Sequence, residues 1–153
     1  MSSVHTSRRI LYPDPQFLET SMDIVLETYT RLEHFPKRYT FTLSKYIEDA
    51  ANNSRSEILL ANNIRIIKVR EDYFERTRHF RNAIGYLNVL GDKVDLAYEL
   101  FSRKHEQEKS KMILTDQQIF KWHDLINREK KLIAGVMNSD KQRYKDLPSV
   151  ISL

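Results

Sequence analysis

Apolar residues recur at alternating spacings of four and three along most of this chain, as on one face of an α-helix. The first such run predicts a helix that begins with Asp14 as N-cap and Pro15 in the first helical position. This helix is expected to end near Phe35, because Pro36 disfavours helical geometry in the residue before it. Its apolar positions are Leu18, Met22, Val25, Tyr29 and Leu32.

A second helix is predicted after the Pro36 turn, with Thr40 or Thr42 as its N-cap. Polar residues at 52–54 weaken the middle of its pattern, and Asn62–Asn63 are expected to end it. We call the line of mostly apolar or small residues along one face of a helix its seam. The seam of this helix consists of Leu43, Ile47, Ala50, Ser54, Ile58 and Ala61.

The third helix is predicted to be the longest, from Arg70 to Lys104. Gly91-Asp92 could instead end one helix and cap another, but the seam passes through Gly91 in phase and favours a continuous helix. A glycine there would let a neighbouring helix approach closely. Residues 106–111 are expected to form a loop or a frayed end. The seam consists of Tyr73, Thr77, Phe80, Ile84, Leu87, Gly91, Val94, Tyr98 and Phe101.

A capping-box signature opens the fourth helix, with Thr115 as N-cap and Gln118 three positions later. This helix is predicted to end around Asn138, with Lys130 and Lys131 in its last turns, where cations suit the helix dipole. Its apolar residues are Ile119, Trp122, Leu125 or Ile126, Leu132, Ile133 and Val136.

Four amphipathic helices with short connections predict an all-α fold, an antiparallel up-and-down four-helix bundle over residues 15–138. The scarcity of turn-forming residues also favours long helices, because only three glycines and no proline occur over residues 37–147. Residues 1–14 are expected to form a flexible arm and residues 139–153 a loosely held tail.

Composition excludes several classes of protein. None of the three glycines belongs to a phosphate-binding loop motif, and the absence of cysteine excludes disulfides and thiolate chemistry. No apolar run is long enough for a membrane span, and residues 1–9 lack the apolar core of a secretory signal. We therefore expect a cytoplasmic protein with no membrane partner.

Motifs for catalysis or metal binding are also missing. The chain has no Glu-x-x-His pair for a di-iron bundle, no His-x-x-x-His and no Gly-x-Ser-x-Gly. Glu75 and His79 are four residues apart, and the pair is interpreted as exposed, beside the Phe80 seam. The sequence thus predicts a protein that is not an enzyme and needs no metal or cofactor.

Positive charge is the remaining feature of the sequence that indicates a function. The net charge of +4 comes wholly from residues 67–153, where arginine predominates in the densest cluster. Arginine suits phosphate because its planar fork binds two oxygens, although a solvated helix face with internal pairs such as Asp72–Arg76 fits the same pattern. The candidate phosphate contacts are Arg70, Arg76, Arg78 and Arg81, followed by Arg128 and Lys131.

Two short motifs resemble the accessory variability determinant (Avd) family of diversity-generating retroelements. The segment 32–43 reads LEHFPKRYTFTL, similar to the family's junction between its first two helices. The segment 113–119 reads ILTDQQI, similar to the opening of its fourth helix. The resemblance covers about residues 15–138, and the wider group includes four-helix proteins encoded within intervening sequences of ribosomal RNA genes.

The resemblance implies a homopentameric, barrel-like assembly of four-helix bundles. Such a protein would bind the element's reverse transcriptase and its template RNA or cDNA, and would support mutagenic reverse transcription without catalysing it. The alternative is a protein-interaction scaffold whose basic surface docks an acidic partner and binds no nucleic acid. Pooling the charge of several subunits would strengthen the field around such an assembly.

Overall fold

The computed structural model describes residues 15–65 and 67–152. Over these residues the chain is helical, with four α-helices and no strand, which confirms the predicted all-α class. The arm predicted for residues 1–14 lies outside the described residues. The helices are α1 (Gln16–Leu32), α2 (Lys45–Asn63), α3 (Arg70–Glu108) and α4 (Asp116–Tyr144).

Helix α1 begins one residue later than predicted, because Pro15 is its N-cap rather than its first helical residue. The proposed Asp14 cap lies outside the described residues. Regular α-helix ends at Leu32, and a turn continues to Phe35, whose N–H donates to the Leu32 carbonyl at 3.1 Å. Phe35 is buried, and its ring meets Phe101 of α3 edge-on at a centroid distance of 4.8 Å.

Helix α2 is entered without a side-chain cap, so the predicted threonine N-cap is wrong. A 3₁₀ turn over Lys37–Tyr39 and a π-helical turn over Thr40–Ser44 lead into the helix through backbone hydrogen bonds. The Thr40 hydroxyl instead donates backwards to the Lys37 carbonyl at 2.7 Å. The polar stretch in the middle does not interrupt α2, and the helix ends at Asn63, as predicted.

Helix α3 is continuous through Gly91, as predicted, and extends to Glu108, beyond the expected end at Lys104. Lys109 then leaves the helix in the left-handed conformation, with φ 51°. The predicted close approach at Gly91 is wrong. A Cβ atom there would meet only the His123 ring, 3.8 Å away, because the buried ridge of α3 runs through Leu90 rather than Gly91.

The capping box of α4 is confirmed. The Gln118 N–H donates to the Thr115 hydroxyl at 3.2 Å, and the Thr115 N–H donates to the Gln118 side-chain carbonyl at 3.0 Å. The helix continues to Tyr144, so the predicted end at Asn138 is wrong. Its last turns are held by tertiary contacts of Asp140 with α3.

The segment that follows α4 is also held against α3, contrary to the loose tail that was predicted. The Pro148 carbonyl accepts a hydrogen bond from the Arg70 N–H at 2.9 Å. The Glu71 carboxylate accepts the Val150 N–H at 2.9 Å and the Ser149 hydroxyl, and these bonds lower the pKa of Glu71. The chain after α4 thereby contacts the first turn of α3, where the Arg70 side chain stays exposed.

One apolar core joins all four helices, with Phe80, Ile24, Ile58 and Ile133 fully buried in it. Trp122 of α4 is also fully buried, and its indole N–H donates to the Thr28 hydroxyl of α1 at 3.2 Å. Tyr29 is one of the apolar positions of the predicted first helix, and the structure does not bury it. It is 41% exposed because its hydroxyl reaches polar side chains of α2. None of the described helices is long and apolar enough to cross a bilayer.

Candidate nucleic-acid interface

Three of the predicted phosphate contacts lie exposed on the first half of α3: Arg70, Arg78 and Arg81. Arg78 donates to Glu75 one helical turn earlier, at 2.6 Å, and this bond raises the pKa of Arg78. Arg81 forms no ion pair with any residue that the structure describes. All three side chains face solvent, so an anion can reach each of them, and Arg78 would meet it while bonded to Glu75.

Arg76 has a different environment, and the structure argues against it as a phosphate contact. Its side chain is 13% exposed, and its Nε donates to the Asp140 carboxylate of α4 at 2.6 Å. Its Nη1 donates to the carbonyls of Ala61 and Ile64, each at 3.2 Å. The guanidinium also lies over the Phe80 ring, 5.0 Å from the centroid. Arg76 thus joins α2, α3 and α4.

The predicted alternative partner of Arg76 was Asp72, one turn away on the same helix. The observed partner is 64 positions away in sequence. Local spacing suggests only partners on the same helix. A buried arginine is paired by the tertiary fold, so no pattern within α3 could have indicated Asp140.

Arg128 and Lys131 are exposed on α4 but lie apart from the α3 arginines. Arg128 pairs with Asp124 at 2.9 Å, and the neighbouring Lys130 donates to Asn88 of α3 at 3.1 Å. These contacts place the Arg128 region of α4 beside a part of α3 that is two turns beyond Arg81. The structure therefore does not gather all six predicted residues at one place.

The last turns of α4 bring other basic residues towards the start of α3. Tyr144 of α4 packs on Tyr73 of α3 with ring centroids 6.3 Å apart, and Lys141 and Arg143 are in the final turn before it. Neither cation is among the six predicted phosphate contacts. Their proximity to the α3 arginines depends on α4 continuing beyond Asn138, which the sequence did not predict.

The sequence suggested that both members of the Glu75–His79 pair are exposed, but only Glu75 is, with 48% of its side chain accessible. His79 is 9% exposed, and its ring lies between Glu57 of α2, 2.6 Å from Nδ1, and Glu75, 3.1 Å from Nε2. The hydrogen bond from Arg78 is the main reason that the pKa of Glu75 is lowered. Across residues 15–65 and 67–152, no group of three histidine or carboxylate side chains could hold a metal ion.

We find no match to this chain among protein-family models, curated proteins or solved structures.

Proposed function

We propose that this chain is a non-catalytic accessory protein of a diversity-generating retroelement. In this proposal it acts in the cytoplasm, assembles with copies of itself, and binds a reverse transcriptase together with template RNA or cDNA. The resemblance of segments 32–43 and 113–119 to the Avd family supports the biological setting. The observation that carries nucleic-acid binding is the exposed arginine group formed by Arg70, Arg78 and Arg81 on α3.

The state of these side chains supports phosphate binding. A guanidinium held in place beside a carboxylate, as Arg78 is by Glu75, keeps N–H groups for an anion. Arg81 has no carboxylate partner in the described part of the chain, so a phosphate would have no carboxylate to displace there. Cations in the last turn of α4 add to the same field.

The proposed helix arrangement is an antiparallel bundle. Contacts between α3 and α4 run in opposite chain directions, from Arg76–Asp140 through Asn88–Lys130 to Asp95–His123. Such an arrangement supports the proposal because it sets the start of α3 beside the end of α4. The basic residues at the start of α3 and in the last turn of α4 then share one end of the molecule, apart from Arg128 and Lys131.

Self-association is supported by an apolar stripe on the solvent side of α3. Tyr86, Val89 and Leu96 are 36%, 47% and 49% exposed, and their spacing places them on one helix face. Exposed apolar residues that share a face are typical of interaction surfaces. Together with the family resemblance, this α3 stripe supports a ring of subunits, for which we propose a pentamer.

Charge reversal tests the nucleic-acid part of the proposal. We expect the triple variant R70E/R78E/R81E to lose RNA binding in a filter assay while its helical circular dichroism is unchanged. The matched control is K45E/R103E/K111E, which reverses three exposed cations elsewhere and should retain binding. Binding by the unmodified chain should weaken as salt rises, because counterions are released from the phosphates. Salt-insensitive binding, or equal loss in both variants, would contradict the proposal.

The alternative function is a protein-interaction scaffold. A second exposed stripe favours it, formed on α1 by Met22, Leu26 and Tyr29 at helical spacing. The same assay separates the two functions, since a scaffold would retain neither RNA nor duplex DNA at low salt. Co-purification with a reverse transcriptase encoded beside this chain would favour the accessory function.

A further inference from the structure

A concave site of about 330 Å³ lies on the early turns of α3, beside the arginines discussed above. Its wall combines two aromatic rings, two guanidinium groups and two neutral polar side chains. The lining residues are Tyr73, Phe74, Thr77, Arg78, Arg81 and Asn82.

The aromatic side of this pocket is exposed yet supported from behind. Phe74 is 57% exposed, although burying a phenyl ring would favour folding. Its ring lies 5.6 Å from that of Tyr73, tilted by 40°, and Tyr73 in turn packs on Tyr144 of α4. Phe74 therefore presents a supported aromatic surface to solvent.

The cationic side of the pocket is set by two arginines. Arg78 is fixed by Glu75 at 2.6 Å, and Arg81 is exposed without an ion pair among the described residues. Thr77 and Asn82 add a hydroxyl and an amide, which both donate and accept hydrogen bonds. The pocket thus offers an aromatic surface, positive charge and neutral hydrogen-bonding groups together.

These three kinds of group match the three parts of a nucleotide. A base stacks on an aromatic ring, a phosphate binds guanidinium, and base edges or sugar hydroxyls bond to neutral polar groups. An acidic peptide would use the arginines and leave the Phe74 ring without a partner. In a duplex, each base is already stacked on its neighbours and has no free face to offer.

We propose that this pocket binds an unpaired nucleotide of a single-stranded nucleic acid, with its base on Phe74 and a flanking phosphate on Arg81. The inference rests on the proposed function and makes it more specific, because it assigns single strands rather than duplexes to this site. Arg70 and the cations of α4 then bind the backbone of either kind of strand.

Fluorescence anisotropy with labelled oligonucleotides tests this assignment on the full chain. The probes are an oligouridylate of about 12 nucleotides, the matching oligothymidylate, and the oligouridylate paired with oligoadenylate. We expect F74A to weaken single-strand binding about 5- to 150-fold, the range for loss of one stacked base. Duplex binding should be unchanged, and F74W should retain single-strand binding because it keeps an aromatic ring.

The control is F120A, which removes a still more accessible phenyl ring from α4, where Phe120 is 74% exposed. It should leave binding of all three probes unchanged. Replacing Arg81 by Gln should weaken binding of both single-stranded probes and lower the slope of their salt dependence by about one released counterion. The two single-stranded probes distinguish RNA from DNA as the source of the unpaired nucleotide.

The experiments distinguish a wrong assignment of the pocket from a wrong proposal for the function. If F74A weakens single-strand binding no more than F120A, while R70E/R78E/R81E still abolishes RNA binding, the pocket assignment is wrong and the accessory function stands. If the unmodified chain binds none of the probes at low salt, the proposed function is wrong, and the pocket assignment is wrong with it.

Discussion

Glu129 of α4 is fully buried, and neither of its carboxyl oxygens has a hydrogen-bond partner in the described part of the chain. Burial raises the pKa of Glu129 to about 8, against a smaller opposing effect of the positive charge on Arg55. The carboxyl group is therefore mostly protonated in the folded chain at neutral pH. Burying a neutral carboxylic acid costs less free energy than burying an unpaired carboxylate, but it makes the free energy of unfolding depend on pH.

The sign of that dependence follows from the direction of the shift. A folded pKa above the unfolded value means that the folded chain binds the proton more tightly. The corresponding stability is fully present below the unfolded pKa of 4.5 and is lost as the pH rises through about 8. Stability from this group should thus decline from mildly acidic to mildly basic solution.

We expect E129Q to remove this decline, because an amide of the same shape does not ionise. At pH 8 the variant should be more stable than the unmodified chain by up to about 4 kcal/mol, and at pH 5 it should be nearly equal. Urea unfolding followed by circular dichroism across this range measures the difference. The exposed-site variant E106Q should keep the slope of the unmodified chain, and an unchanged slope in E129Q would contradict the assignment.

The helices themselves show which elements local patterns determine. Thr115 and Gln118 bond to each other's backbone within one turn, so the sequence contains the whole cap and predicts it correctly. Gly91 kept the seam of α3 in phase, which predicted a continuous helix. Its spacing could not show that Leu90 would be the buried position, because that depends on how α3 is rotated against its neighbours.

The end of α4 and the role of Arg76 illustrate what local patterns leave out. Asn138 was predicted as the end of the helix because the apolar pattern stops there. The helix continues because Asp140 reaches Arg76, a contact between residues far apart in the chain. The same contact buries Arg76 away from the candidate site, while Arg78 and Arg81 are exposed and remain predicted phosphate contacts.

The Arg76–Asp140 ion pair should anchor the last turns of α4. We expect D140A to destabilise the chain by about 3–5 kcal/mol, because it leaves a buried guanidinium without its carboxylate. The control D124A breaks the exposed pair with Arg128 and should cost under about 1 kcal/mol. Chemical unfolding measures both, and equal losses would show that burial does not strengthen the Arg76 pair.

At the scale of the whole molecule, the exposed stripes and the arginine group lie on different parts of the surface. The α3 stripe begins at Tyr86, beyond Arg81, so an assembly through the stripe would leave the first turns of α3 accessible. Copies of a basic surface would then be repeated around the assembly. This arrangement would raise the local density of positive charge without any change in a single chain.

Assembly through the α3 stripe is tested by placing a carboxylate on it. We expect V89E and L96E each to reduce the molar mass measured by light scattering to that of one chain, because a buried unpaired carboxylate opposes association. The control L60E changes an exposed leucine of α2 that belongs to neither stripe and should leave the mass unchanged. A single-chain mass for the unmodified protein, or an unaltered mass in both stripe variants, would contradict assembly through this face.

The buried indole of Trp122 gives the protein an internal optical signal. Trp122 is the only tryptophan in the chain. It belongs to α4, and its indole N–H donates to the Thr28 hydroxyl of α1. Its fluorescence should be blue-shifted in the folded state and move to longer wavelength when α1 separates from α4 and water reaches the ring. None of the substitutions suggested above changes Trp122 or Thr28. In every variant except F74W, which adds a second tryptophan, emission from this one residue therefore reports whether a loss of binding reflects the surface or the fold.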